Sequence, residues 1–147
     1  MALTAEYSKV TWSEFFQPTF SAFPHLANQL RAEFLTYKST GAPSDLLGRD
    51  APFDFPPFAV EANVQHIHVN LYFQLSWNAR QQNYKRTSNH YLIYTEHMWE
   101  NGCFLLMGLV TPAHTRMPAH DNQLLSYFSQ VAENFHASAP EISAVGR

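Results

Sequence analysis

Apolar and polar residues alternate most cleanly along Val64-Gln65-His66-Ile67-His68-Val69-Asn70-Leu71-Tyr72-Phe73. That alternation predicts a β-strand, because successive side chains of an extended chain point to opposite faces. Ile67, Val69, Leu71 and Phe73 form an apolar row fit for a core, while His66, His68, Asn70 and Tyr72 form a row of imidazoles, an amide and a phenol. One face suits packing and the other suits chemistry.

Elsewhere the period changes. Leu26, Leu30 and Phe34, with Ala27 and Tyr37 beside them, recur at helical spacing and predict a helix over about residues 25–39, entered at Pro24 and stopped by Gly41 and Pro43. Leu124, Phe128, Val131 and Phe135 predict a final helix, with Asp121 and Asn122 as caps or first-turn residues and Pro140 as its close. Two further strands, His90–Glu96 and the apolar Cys103–Val110, flank Asn101-Gly102, a strong hairpin signal. A two-residue turn there pairs Glu100 with Cys103 and sets Ile93 opposite Val110. Lys9–Phe16 reads as a short edge strand stopped by Pro18. Residues 1–8 read as a loose arm and 138–147 as a frayed tail, with covering loops at Gly41–Phe58 and about Gln74–Thr87. The order strand, helix, long loop, three strands, helix predicts an α+β fold, an antiparallel sheet with helices on one side, in one domain over 1–147.

Composition narrows the class. A chain of 147 residues, 46% hydrophobic and 14% charged, is long enough to bury a core unaided. No apolar run approaches the ~20 residues that cross a bilayer, and the N-terminus lacks the basic-then-apolar pattern of a signal peptide. The single Cys103, followed by Phe104-Leu105-Leu106, reads as a buried structural thiol; a disulfide within the chain and a cysteine-based zinc site are both excluded. A cytoplasmic protein without a membrane partner is the resulting expectation. A net charge of −3 argues against a cationic coat for indiscriminate nucleic-acid binding but leaves room for a local grouping, Arg80, Lys85 and Arg86.

His66-x-His68 carries the sharpest chemistry. Side chains at i and i+2 on a strand share a face, so both rings can serve one site, and two imidazoles suit proton transfer in phosphodiester cleavage. One takes the ribose 2′-hydroxyl proton and the other protonates the leaving 5′-oxygen, with no metal or other cofactor. Arg86 is the expected phosphate clamp, since guanidinium offers a fork of donors and keeps its charge. Arg49 within Gly48-Arg49-Asp50, Arg80, Lys85, Thr87 and His114 are candidate RNA contacts, and Trp77 and Tyr84 either stack on bases or pack. Two alternatives stand beside this. One is a metal-dependent hydrolase with His66, His68 and a third ligand from His90 or His114; the other is a non-enzymatic module whose sheet face holds a partner. The plainest reading of all makes the pair surface histidines on a wet sheet face, and the other histidines (His25, His97, His120, His136) incidental.

Tyr37-Lys38, Gly41, Asp45, Gly48-Arg49-Asp50 and His66-Ile67-His68, followed by Arg86-Thr87, Leu92, Tyr94, Phe104-Leu105-Leu106, Pro112, His114 and Asp121-Asn122-Gln123, resemble in order and spacing the YafO-type bacterial toxins. The resemblance covers about residues 30–136. It implies a type II toxin that cleaves messenger RNA on the translating ribosome and is neutralised by a cognate antitoxin. It also implies, by analogy, a RelE-like microbial ribonuclease fold.

Overall fold

The computed structural model describes residues 2–77, 82–119 and 121–138. Its frame is a five-stranded mixed sheet in the order β1-β5-β4-β3-β2, with β1 Thr4–Tyr7, β2 Leu47–Pro52, β3 Gln65–Val69, β4 Tyr91–Glu96 and β5 Cys103–Val110. The last four strands pair antiparallel in a continuous run, and β1 joins β5 in parallel. The α+β class holds.

Helices cover both faces of this sheet rather than one. On one face, α3 (Leu26–Thr40) buries Leu26, Leu30 and Phe34 against Ile67, Val69, Leu92 and Leu106. It ends as its sequence predicts: Gly41 takes the left-handed conformation, φ 77°, and donates its N–H to Tyr37 O at 2.7 Å. On the other face, α6 (Gln123–Ala137) buries Leu125, Phe128, Val131 and Ala132 against Ile93, Leu105 and Met107. Asp121 accepts the Gln123 N–H at its start. The short helix α4 (Pro57–Glu61) packs beside α6. β5, apolar on both sides, is the strand that both layers need, and Gly108 sits where an added Cβ would strike the Phe128 ring.

The N-terminal third departs from the sequence pattern. Residues 4–7, expected as a loose arm, form β1, and the expected edge strand after it is helical: α1 (Trp12–Phe15) and α2 (Gln17–Ala22). Trp12, Phe16 and Phe20 repeat every four residues and pack their rings around Tyr7 at centroid distances of 5.5, 4.7 and 5.4 Å. Pro18, taken as a strand stop, occupies the first turn of α2, where its missing N–H costs nothing.

Two registers also differ from expectation. The β4–β5 connection is longer than two residues: Glu96 pairs with Phe104, His97 N–H reaches Cys103 O at 2.8 Å, and Ile93 lies opposite Gly108 rather than Val110. Glu96 Oε2 holds the Gly102 N–H at 2.8 Å, which tightens the wider turn, and Cys103 beside it is only half-buried. β2 falls inside the segment expected as a covering loop. Its register slips between Leu47, opposite Val69, and Asp50, opposite Ile67. A bulged edge strand rich in Gly, Pro and charge carries little of the alternation by which strands are recognised.

Candidate active site

β3 sorts its side chains as the alternation requires. Ile67 and Val69 are buried under α3, and His66 and His68 lie on the opposite face, at the β2 side of the sheet. Leu71 continues the core, but β3 ends at Val69; Tyr72 and Phe73 sit in a 3-10 turn and are exposed, while Asn70 is buried.

The two imidazoles come together with their centroids 5.9 Å apart. Tyr91 of β4 pairs with His68 in the ladder and puts its ring 4.7 Å from His68 and 5.0 Å from His66. Phe53 stacks on the outer side of His66 at 4.3 Å. His114, on the short helix α5 (Ala113–Arg116), approaches Tyr91 at 6.0 Å and adds slightly to the lowering of His68. Arg49 is exposed on β2, close enough for its positive charge to act on His66, His68 and Tyr91 together.

Burial dominates the electrostatics. His66 is pushed down to about 4, first by burial, then by the neighbouring His68, with Arg49 adding to the effect and Asp50 opposing it. Among the described residues its buried Nδ1 has no hydrogen-bond partner. His68 is lowered as well, chiefly by burial, while the Ser88 backbone works the other way. Its Nδ1 lies 2.8 Å from Ser88 N and 3.1 Å from Ser88 O. The amide N–H can only donate, so the neutral ring carries its proton on Nε2. The carbonyl beside it can accept from Nδ1 once the ring is charged. Burial raises the Tyr91 phenol, so its hydroxyl stays protonated at neutral pH.

The expected phosphate clamp lies elsewhere. Arg86 is 2% exposed and its Nη1 donates to Ser44 O at 2.9 Å and Leu47 O at 3.0 Å. Its guanidinium ties the Ser44–Leu47 segment to the loop before β4 instead of facing solvent beside the histidines. The sequence places it near the right strands but carries no sign of its direction. Lys85 and Thr87 are exposed in the adjoining loop, with Lys85 Nζ 5.7 Å from the Tyr84 ring. Trp77 packs over Gly48, whereas Tyr84 is exposed. Arg80 and His120 lie outside the described residues.

The third metal ligand also finds no support. His90 directs Nδ1 to the Thr111 hydroxyl at 2.6 Å, and among the described residues no three His, Cys, Asp or Glu side chains gather around a point that could hold an ion. His97 and His136 hold main chain together: His97 Nε2 bonds Ser138 O at 2.8 Å and His136 Nε2 bonds Ala62 O at 2.7 Å.

Two features escape the sequence reading. Tyr91 reads only as a β-former, although its place opposite His68 follows once the strands are paired. Asp50, next to Arg49 in the sequence and not among the expected site residues, turns to the α3 face. There Tyr94 hydroxyl (2.5 Å), Lys38 Nζ (2.8 Å) and Tyr37 hydroxyl (2.9 Å) all donate to its carboxylate. Successive residues of β2 thus serve opposite faces, Arg49 the histidines and Asp50 the anchor.

Comparison with known proteins agrees with the motif order. The family described as "Toxin YafO, type II toxin-antitoxin system" matches residues 35–137. The "mRNA interferase toxin YafO" of Escherichia coli (strain K12) is 30% identical over 111 residues, which span 72% of this chain and 82% of that protein. No solved structure matches the chain.

Proposed function

Because the chain belongs to the YafO toxin family of type II toxin–antitoxin systems, we propose that it is an endoribonuclease that cleaves messenger RNA on the translating ribosome. A cognate antitoxin neutralises it, and both act in the cytoplasm. The relative named an mRNA interferase supports the substrate, and the kinship supports assigning the sheet to the RelE-like microbial ribonucleases. Among the described residues no helix is long and apolar enough to cross a membrane.

The chemistry rests on one observation: the His66, His68 and Tyr91 rings gather on one face of the sheet, 5.9, 5.0 and 4.7 Å apart, beside the strand that carries the exposed Arg49. Arg49 holds the non-bridging oxygens of the scissile phosphate and offsets the charge that grows on them in the transition state. His66, neutral at pH 7, takes the 2′-hydroxyl proton. The 2′-oxygen then attacks phosphorus, forming a 2′,3′-cyclic phosphate as the bond to the 5′-oxygen breaks. The phosphate's negative charge counters Arg49 and favours protonated His68, whose Nδ1–H donates a hydrogen bond to Ser88 O while its Nε2–H proton is given to the departing 5′-oxygen. The Tyr91 hydroxyl, held neutral, orients the substrate between the rings. No step calls for a metal. So few groups suffice if ribosomal RNA helps to align the message.

Purified protein incubated with message, with and without ribosomes, tests this reading. Cleavage leaving 5′-hydroxyl and 2′,3′-cyclic phosphate ends, seen only with ribosomes and lowered about 100-fold or more in folded His66→Ala and His68→Ala, is the expected result. Growth arrest without cleaved message would instead mark a binding module, and activity lost on chelation would mark a metal-dependent hydrolase.

A further inference from the structure

At the end of β3 the chain makes a turn that core packing does not require. Leu71 is buried, but the next two residues, Tyr72 (φ 63°) and Phe73 (φ 53°), take left-handed backbone conformations while remaining 45% and 53% exposed. Such a conformation disfavours side chains beyond Gly, Asn and Asp, so a consecutive aromatic pair is strained. The turn is also rigidly held. Buried Asn70 clamps it with Nδ2 to Leu75 O at 2.8 Å, Oδ1 from Leu75 N–H at 2.9 Å and Nδ2 to Asp45 O at 3.2 Å. Strain with little burial in return points to a ligand.

The surroundings suggest which ligand. Phe23 lies 4.7 Å from the Tyr72 ring, and with Pro24 and Phe73 the two border an open groove of about 420 Å³. Gln29 and His25 supply polar atoms to an otherwise apolar lining. A chain of contacts leads from the groove toward the histidine site: the Tyr72 ring lies 6.3 Å from His90, His90 N–H bonds the Ser88 hydroxyl, and Ser88 N–H bonds His68. A flat, apolar ligand with a hydrogen-bonding edge, attached to a phosphate chain that reaches His68, is an unpaired nucleobase.

We infer that Phe23, Tyr72 and Phe73 form a stacking subsite for an unpaired base of the RNA, next to the nucleotides being cleaved, with Gln29 and His25 meeting the base edge. This rests on the ribonuclease reading above. Aromatic faces accept any base, so the subsite supplies affinity and alignment, and the polar rim supplies preference.

The test is fluorescence titration of the full chain into a short single-stranded RNA carrying 2-aminopurine, whose emission falls when the base stacks. Glycine relieves the backbone strain as it removes the ring, so stability and binding move in opposite directions. Tyr72→Gly and Phe73→Gly are expected to melt at or above the parent's temperature and to bind about tenfold more weakly. Tyr72→Phe retains quenching, whereas Tyr72→Leu, with the same backbone demand and no aromatic face, loses it. Equal quenching by the Phe and Leu variants, or no quenching by the parent, overturns the subsite. Quenching without any cleavage leaves the subsite standing and removes the nuclease; cleavage at parental rates in both glycine variants does the reverse.

Discussion

Arg49 reaches the face of His68 across a bulge: between the pairs Leu47–Val69 and Asp50–Ile67, β2 carries two residues and β3 carries only that histidine. The extra residue bends and twists an edge strand locally, which re-aims a side chain toward the neighbouring rings. Arg49 is exposed, and nothing in the core rests on its side chain. Arg49→Ala is therefore expected to slow cleavage of message by about 100-fold or more with an unchanged melting temperature. Arg49→Lys, which keeps charge but not the fork, should recover only part of the rate.

Arg86 gives the opposite outcome. Its guanidinium bonds two main-chain carbonyls in the interior, and Gly48 packs so closely against the Arg86 backbone and Trp77 that a methyl group has no room. Removing this side chain leaves a cavity and buried carbonyls without donors, at a cost of about 3 kcal/mol or more. Arg86→Ala is expected to lose cleavage by unfolding. Urea denaturation would separate the two arginines: a shifted midpoint for Arg86→Ala, none for Arg49→Ala.

The division between these arginines marks what the chain discloses locally. His66 and His68 are legible because strict alternation fixes their shared face, and α3 and α6 because Leu30, Phe34 and Phe128 repeat at helical spacing. β2 is not legible: Gly48 and Pro52 look like loop residues, and the bulge that aims Arg49 exists only when β3 lies beside it. The N-terminal helices were hidden by Pro18, which stops a strand but also begins a helix. Tyr91 joins the site through the pairing of β3 with β4, a relationship between segments that no local pattern carries.

The lowered His66 gives a stability signature. Its ordinary value of 6.5 falls to about 4 in the folded protein, so the unfolded chain binds more protons between those limits. The stability associated with neutral His66 is fully present above about pH 6.5, erodes as pH falls and is lost by about pH 4, by up to about 3 kcal/mol. His68 and His90, also lowered, add in the same direction. Denaturation midpoints measured across this range should rise with pH in the parent, and His66→Gln should show a flatter profile. An NMR titration in which His66 ionises near 6.5 would refute the environment described for it.

Asp50 anchors the strand from the other side of the sheet. Lys38 Nζ sits 2.8 Å from its carboxylate and 2.7 Å from the Tyr94 hydroxyl, with side-chain exposures of 20% for Lys38 and 11% for Asp50. A pair this sheltered contributes little net stability while intact, because desolvation offsets attraction, but removing one partner strands the other charge. Asp50→Asn is accordingly expected to cost about 2 kcal/mol, and Lys38→Met in the same chain should restore most of it. Melting temperatures of the two single variants and the double variant close a thermodynamic cycle. Cleavage should follow the same order, since the strand that presents Arg49 loosens and tightens with the anchor. Strictly additive losses would mean that Lys38 and Asp50 act independently and that the carboxylate is held by the two tyrosines alone.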